Sequence, residues 1–289
     1  MLKKRIIAVL VVQRGIVVQS IKFRKYLPVG IPEIAVEFLN DWGVDEIMML
    51  DISATAESRG PNLQMVSRVA EKCRVPLTVG GGIHSLEQAK EVVSRGADKV
   101  TLNQACLHKP DLVSRLAGVL GSQCVVASVN GIKTASGQRV YDYLTRRSVT
   151  KTPVDLAEDL VKKGCGEIFV HSVDRDGSGN GFDLSLIQSV CERVNVPVIG
   201  SGGAGRPRHF VEVLKKTEAH AAAAANLFHY SEHSVTKTKA DIVRSGVSVR
   251  HDTHAKYSGN KLDKVGRLRR KPDAILESML FVKIEKEVI

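Results

Sequence analysis

Two glycine runs, each following a short apolar segment, are the clearest sign of a binding site in this sequence of 289 residues. The runs are Gly80-Gly81-Gly82 and Gly202-Gly203. Because glycine carries no side chain, its backbone N–H groups can approach a phosphate closely. A single run of this kind could also be a simple turn. Two runs favour two anion-binding loops, and therefore a ligand with a phosphate at each end.

Other small or polar residues follow the remaining apolar segments and complete the two loops. Asn103 joins the first glycine run, whereas Asp176-Gly177 and Ala225-Asn226 join the second. The predicted phosphate-binding residues are Gly81, Gly82, Asn103, Gly177, Gly202, Gly203, Ala225 and Asn226. Asp51 and Asp176 also end apolar segments, where a carboxylate could act as an acid or a base. We favour hydroxyl binding or loop orientation for both aspartates.

The segments that must position these loops follow two hydrophobic patterns. Short runs rich in Val and Ile predict buried strands at residues 5–12, 46–52, 76–80, 99–102, 124–129, 167–172, 197–201 and 222–225. Segments with helical spacing lie between them, at residues 33–42, 86–95, 154–163 and 210–216. Eight strand-then-helix units in about 250 residues predict an α/β fold, a (β/α)8 TIM barrel. A doubly wound sheet is the alternative.

An internal repeat divides the predicted barrel, residues 1–250, into two halves. Gly43-Val44-Asp45-Glu46-Ile47 returns 121 positions later as Gly164-Cys165-Gly166-Glu167-Ile168. The glycine runs repeat at the same offset, from Gly81 to Gly202. A constant offset over two separate motifs predicts half-barrels at residues 1 to about 120 and about 121 to 250.

The composition changes beyond residue 250. A polar stretch is followed by the basic run Arg267-Leu268-Arg269-Arg270-Lys271, and residues 274–289 carry apolar side chains at partly helical spacing. We expect a basic, amphipathic C-terminal extension, residues 251–289, that forms an extra helix docked on the barrel. A docking segment for a partner protein is the alternative.

The composition also bounds the class of protein. Lys and Arg total 42 against 31 Asp and Glu, a formal charge of +11 that suits anionic ligands. Aromatic residues make up only 4%, which argues against a base-stacking nucleic-acid surface. Five scattered cysteines without CxxC spacing argue against disulfides and a cysteine zinc site. We therefore expect a cytoplasmic protein with no metal, no cofactor, no nucleic-acid partner and no membrane association.

From residue 1 to about residue 250 the chain resembles the cyclase subunit of imidazole glycerol phosphate synthase. The resemblance is carried by Leu2-Lys3-Lys4-Arg5-Ile6-Ile7, residues 75–83, Ala97-Asp98-Lys99-Val100, Asp174-Arg175-Asp176-Gly177, residues 199–205 and Asn226-Leu227-Phe228-His229-Tyr230. It implies a heterodimer in which a glutaminase docks on the amino-terminal face of the barrel. Ammonia would cross the barrel and react at the opposite face with a bis-phosphorylated nucleotide intermediate.

The resemblance assigns an ammonia gate to four charged residues at the starts of strands. They are Arg5, Glu46, Lys99 and Glu167. A salt-bridge layer with a purely structural role is the alternative, because buried charges need partners in any protein. The resemblance also places Asp98 against the glutaminase.

The family's two catalytic aspartates are absent. The resemblance aligns them with Val11 and Asn130, neither of which can exchange a proton as an acid or base. The family's active-site lysine aligns with Gln19, and Leu144-Thr145-Arg146-Arg147 replaces a glycine-rich loop.

Three hypotheses follow from this pattern. The first is a divergent paralogue that keeps the glutaminase and the ammonia conduit but no longer closes an imidazole ring. It resembles paralogues from bacterial surface-polysaccharide clusters, which supply ammonia to a third enzyme that amidates an acetamido sugar. The second is an authentic cyclase subunit of histidine biosynthesis. The third is a non-catalytic protein that activates the glutaminase.

Overall fold

Eight parallel strands close into a barrel in the computed structural model, which describes residues 3–231 and 233–250 and the single positions 269, 272 and 274. In chain order the strands are β1 (Arg5–Gln13), β2 (Ile16–Ile21), β3 (Lys25–Gly30), β4 (Glu46–Asp51), β5 (Leu77–Gly80), β6 (Lys99–Leu102), β7 (Val125–Thr134), β8 (Gly137–Asp142), β9 (Arg147–Ser148), β10 (Glu167–Ser172), β11 (Val198–Ser201) and β12 (Ala221–Ala224). The barrel order is β1, β4, β5, β6, β7, β10, β11 and β12. The last strand pairs with the first, with Arg5 beside Ala221. The predicted (β/α)8 barrel is confirmed.

Helices connect the parallel strands and cover the outside of the barrel. They are α1 (Pro32–Asp41), α2 (Leu63–Lys72), α3 (Leu86–Ser94), α4 (Gln104–His108), α5 (Asp111–Leu120), α6 (Pro153–Lys162), α7 (Leu184–Cys191), α8 (Pro207–Lys216), α9 (Asn226–His229) and α10 (Ser234–Arg244). A short 3-10 helix, Ser122–Cys124, precedes β7. The side chain of Ser85 caps α3 by accepting a hydrogen bond from the backbone N–H of Gln88 at 3.2 Å.

Two hairpins at the carboxyl ends of barrel strands depart from the predicted pattern. The chain turns at Gly15, with φ +83°, so that β2 pairs antiparallel with β1 and β3 pairs with β2. It turns again at Gly137, with φ +100°, and β8 pairs antiparallel with β7. The strand predicted at residues 124–129 therefore continues to Thr134. Both hairpins stand over the carboxyl-terminal end of the barrel.

Apolar side chains fill both sides of the barrel wall. Alternate residues of β1, such as Ile6 and Ala8, pack outward against the helices, whereas Ile7 and Val9 point into the barrel. The inner cluster comprises Ile7, Val9, Met48, Val126, Phe169, Ile199, Ala221 and Ala223. Burial of both faces explains why the strands show no polar–apolar alternation in the sequence.

The predicted extension, residues 251–289, lies outside the described residues apart from three single positions. Within the described part of the chain, no helix is both long and apolar enough to span a membrane.

Candidate functional site

A cavity of about 710 Å³ occupies the carboxyl-terminal mouth of the barrel. The strand ends and the two hairpins form its wall. The predicted site residues that line it are Val11, Gln19, Asp51, Gly81, Gly82, Asn103, Asn130, Asp176, Gly177, Gly202, Gly203, Ala225 and Asn226. The structure thus brings together both predicted phosphate-binding loops and the two positions that the family occupies with catalytic aspartates.

The first glycine run adopts a conformation that only glycine accommodates easily. Gly81 and Gly82 have φ values of +111° and +73°. A Cβ atom on Gly81 would lie 2.2 Å from the carbonyl oxygen of Asp51, and one on Gly82 would lie 2.7 Å from that of Arg59. These close approaches make glycine necessary for the loop to pack, whatever it binds.

The second glycine run repeats these contacts. A Cβ atom on Gly202 would lie 2.6 Å from the carbonyl oxygen of Ser172, and one on Gly203 would lie 2.2 Å from that of Gly181. Ser172 lies 121 positions after Asp51, the offset of the sequence repeat. The two loops thus make equivalent contacts at the repeat offset; the division into two half-barrels stays a prediction.

Two of the predicted phosphate ligands use their side-chain amides within the protein. The Asn103 amide nitrogen donates to the carbonyl oxygen of Ser128 at 2.9 Å. Asn226 accepts from the backbone N–H of Ser20 at 3.2 Å and donates to its carbonyl oxygen at 2.7 Å, which ties β2 to the mouth. Their backbones lie at the starts of α4 and α9, and backbone N–H groups are what these loops offer to an anion.

Asp51 is buried and orients the loop after β4. Its carboxylate forms a 2.8 Å ion pair with Arg59. The same carboxylate accepts hydrogen bonds from the Ser53 hydroxyl at 2.8 Å and from the backbone N–H of Ala54 at 3.2 Å. This arrangement supports the loop-orienting role that we favour over acid–base work.

Asp176 is also buried, and its carboxylate holds the β2–β3 hairpin. It accepts from the Ser20 hydroxyl at 2.6 Å and from the backbone N–H of Phe23 at 3.3 Å. Burial alone would raise the pKa of Asp176, but the His171 ring and the Ser20 hydroxyl favour the carboxylate and lower the pKa below its ordinary value.

His171 is one of the residues of the mouth that sequence reasoning missed. It lies on β10, with Nε2 3.4 Å from Asp176 Oδ1 and Nδ1 3.1 Å from Ser201 Oγ. The Phe23 ring packs on it with 5.1 Å between ring centroids. The alternation of side chains along a strand could have identified His171, because residues 167, 169 and 171 share the inward face of β10.

Val11 and Asn130, which the resemblance aligns with the family's catalytic aspartates, flank the mouth and carry no titratable group. Val11 lies beside Leu50 in the register of β1 and β4. Asn130 is buried and lies beside His171 in the register of β7 and β10. Gln19, the third departure, accepts a 3.0 Å hydrogen bond from the Tyr230 hydroxyl.

The four predicted gate residues form a closed ring of ion pairs at the opposite, amino-terminal end of the barrel. Arg5 contacts Glu46 at 2.5 Å and Glu167 at 2.8 Å. Lys99 contacts Glu167 at 2.9 Å and Glu46 at 3.4 Å. Both glutamates are buried, and the two together raise the pKa of Arg5 against the opposing effect of its burial. The ring and the cavity are separated by the inner apolar cluster.

Asp98 lies on the exposed surface directly before β6, at the same end as the ring. Its carboxylate accepts a 2.8 Å hydrogen bond from the backbone N–H of Leu77. In the described part of the chain no group of three or more His, Cys, Asp or Glu residues could hold a metal ion.

The family of the chain follows from comparison with known proteins. The profile of the family described as histidine biosynthesis protein matches residues 5–234, from the start of β1 to the start of α10. The chain belongs to this family. Within this family, the chain aligns with the full or nearly full length of single subunits.

Three relatives illustrate the similarity. A Vibrio vulnificus (strain YJ016) protein, provisionally named imidazole glycerol phosphate synthase subunit hisF2, is 42% identical over 267 residues, or 92% of this chain and 98% of its own length. The HisF subunit of the same synthase from Thermococcus gammatolerans is 43% identical over 253 residues, 87% of this chain and all of its own. The Geobacillus kaustophilus subunit is 43% identical over 252 residues, 86% of this chain and all of its own. The chain is thus a barrel similar to the cyclase subunit.

Proposed function

We propose that this barrel pairs with a glutaminase, takes up the ammonia that the glutaminase releases, and passes it to an acceptor without closing an imidazole ring. The observation that carries the proposal is the ring of Arg5, Glu46, Lys99 and Glu167. It closes one end of a barrel whose other end opens into the cavity. The inner cluster between them is apolar and suits neutral NH₃ better than ammonium.

The ring has the properties that a gate requires. Interiors of such barrels are mostly filled by branched aliphatic residues, so a layer of four charges is unusual. The contact between Lys99 and Glu46 is the longest of the four, at 3.4 Å. If it breaks, Lys99 keeps Glu167 and Arg5 keeps both glutamates. The ring therefore has one side that opens without leaving a buried charge unpaired.

The loss of ring closure rests on Val11 and Asn130. A positioned general acid or base contributes about 100- to 10,000-fold to a rate. Neither a hydrocarbon nor an amide side chain supplies that contribution. The intact glycine loops favour a phosphorylated small molecule that still binds at the mouth.

For the acceptor, we propose a third, cytoplasmic enzyme that amidates an acetamido sugar in surface-polysaccharide biosynthesis. The support is the combination seen here of an intact charged ring, intact glycine loops and absent aspartates. The similarity to the Vibrio protein designated hisF2 also agrees with a paralogue.

The authentic cyclase remains the second candidate, and two observations favour it. The chain is 43% identical to whole HisF subunits, and its cavity keeps both glycine loops. A protein that only activates the glutaminase is the third candidate; it would use the amino-terminal face and leave the cavity without a role.

Titration of the chain into the glutaminase subunit from the same organism tests the pairing. We expect saturable stimulation of glutamine hydrolysis at one chain per glutaminase. Asp98→Lys should weaken it, since the substitution reverses a charge on the proposed interface. Glu212→Lys on α8 is the matched control, because it makes the same charge change on the flank of the barrel. No stimulation by the parent chain, or equal loss in both variants, would contradict the pairing.

A further inference from the structure

We propose that Ser201, His171 and Asp176 form a proton relay at the cavity, in which the Ser201 hydroxyl is the acid–base group that meets the ligand. Ser201 ends β11 and lines the cavity directly before the second glycine loop. His171 lies next to it on β10, and Asp176 follows in the loop after β10. The strands β10 and β11 and the loop after β10 thus bring the three side chains together.

The direction of the relay follows from the hydrogen-bonding capacity of each group. The Asp176 carboxylate only accepts, so the ring nitrogen that faces it, Nε2 at 3.4 Å, carries the proton. A neutral imidazole has one donor and one acceptor nitrogen. Nδ1 is therefore the acceptor, and the Ser201 hydroxyl donates to it across 3.1 Å.

The contact between His171 and Asp176 is longer than an ideal hydrogen bond. Nε2 is buried and makes no hydrogen bond with any described residue, so its 3.4 Å contact with Asp176 is an ion-pair distance and not yet a hydrogen bond. Hydrogen bonds of catalytic groups are often long without ligand and shorten when the ligand binds. The Phe23 ring, on the hairpin that Asp176 holds, packs against the imidazole and fixes its plane.

The relay supplies one acid–base group beside β10 and β11. It does not replace the pair of groups lost at Val11 and Asn130, so ring closure stays absent. Resting on the proposed function, in which a phosphorylated ligand binds at the mouth and the ammonia passes to another enzyme, we assign the relay to proton exchange with an oxygen of that ligand. The Ser201 hydroxyl gives its proton to His171 as it takes one from the ligand, and the reverse transfer restores all three groups.

An activated serine can be measured in the chain alone, without the glutaminase or the natural ligand. Phenylmethylsulfonyl fluoride reacts with such a hydroxyl: the Oγ–S bond forms, fluoride leaves, and the Ser201 proton passes to His171. We expect one adduct per chain, located on Ser201 by peptide mass spectrometry. In His171→Gln the maximal rate of labelling should fall about 100-fold, with the half-saturating reagent concentration unchanged.

Ser128→Ala is the matched control. Ser128 lines the same cavity, but its hydroxyl oxygen lies 3.5 Å from the Asn103 amide nitrogen, which is a donor and cannot take a proton from it. This variant should label at the parent rate. A labelling rate that is unchanged in His171→Gln, or an adduct on a residue other than Ser201, would overturn the relay.

The tautomer of His171 gives a second measurement, which does not require a variant to fold. In ¹⁵N-histidine NMR spectra of the parent chain, His171 can be assigned by its contacts with the Phe23 ring. We expect the proton on Nε2; a proton on Nδ1 would overturn the proposal. Failure of either measurement leaves glutaminase stimulation untouched, so the relay and the proposed function can fail separately.

Discussion

Glu167 and His171 project into the barrel from the same strand, the glutamate in the charged ring and the histidine at the cavity. They lie four positions apart, which is about 13 Å along an extended strand. Phe169, between them on the same face, belongs to the inner apolar cluster. One strand therefore contributes to the entrance, the apolar layer and the mouth of the proposed ammonia route.

Lys99→Met should destabilise the protein and open the ring. The substitution removes the charge that both glutamates share and leaves Arg5 as their partner within the ring. We expect the free energy of unfolding to fall by about 3 kcal/mol, because a buried pair that loses one member leaves an uncompensated charge. Urea denaturation at neutral pH measures the change.

Lys72→Met is the control for that loss. Lys72 pairs with Glu37 at 2.7 Å, but both side chains are half exposed. Solvent screens such a pair, so its loss should cost much less stability than the loss of Lys99. If both variants lose the same stability, the ring is not the dry layer that the account requires.

Cyclase activity should be absent in the parent chain. Supplied with an ammonium salt and the family's bis-phosphorylated intermediate, it should show no detectable imidazole product, because Val11 and Asn130 carry no exchangeable acidic proton. The double variant Val11→Asp with Asn130→Asp should recover part of the activity, limited by Gln19. Turnover by the parent within tenfold of an ordinary cyclase subunit would favour the authentic cyclase.

The two glycine loops should bind two inorganic phosphate ions. A crystal soaked in phosphate should show density at both loops. In Gly203→Ala, the density at the second loop should disappear while the first keeps its ion. The reason is that the new Cβ would lie 2.2 Å from the carbonyl oxygen of Gly181, at a φ of +98°. An empty mouth in the parent would count against a phosphorylated ligand.

Stability should fall in mild acid because of His229. Its pKa is lowered from 6.5 to about 4 by burial, and its Nε2 has no hydrogen-bond partner among the described residues. The unfolded chain takes up a proton near pH 6.5, whereas the folded chain resists protonation until about pH 4. The contribution of His229 to the free energy of unfolding is therefore fully present above pH 6.5. It falls by up to about 3 kcal/mol as the pH drops toward 4.

Urea denaturation of the parent and of His229→Asn between pH 7 and pH 4 measures this contribution. We expect the variant to show the shallower dependence. His84→Asn, at an exposed histidine, should follow the parent. Parallel curves for all three proteins would contradict the assignment to His229.

The barrel and the position of the site could be predicted because short, continuous segments of the sequence indicate them. Continuous Val and Ile runs mark strands buried on both faces, and glycines mark the loops that pack closely on their neighbours. The four charges of the ring each begin a predicted strand, and parallel strands in a barrel begin at the same end. The structure places Arg5, Glu46, Lys99 and Glu167 together; their role as a gate stays a proposal.

The hairpins and the His171 cluster depend on contacts between residues that lie far apart in the sequence, so no short segment indicates them. Only tertiary contact shows that Ser20, in an unpredicted strand, bonds to Asp176, which lies 156 positions away. His171 belongs to no short motif, and its partners come from β11 and from a following loop. The sequence does not show that the side-chain amides of Asn103 and Asn226 donate hydrogen bonds to backbone carbonyl oxygens, as they do in the fold.

The nitrogen source of the amidated product shows whether ammonia reaches the acceptor through the barrel. The complete system of chain, glutaminase and acceptor enzyme would receive glutamine labelled with ¹⁵N at the amide, together with an excess of unlabelled ammonium. We expect the parent chain to yield product carrying ¹⁵N. Folded Lys99→Met should still stimulate hydrolysis, while its product takes nitrogen from the bulk pool. If the parent product reflects the bulk pool, or if the variant transfers ¹⁵N as well as the parent does, the barrel is not the conduit.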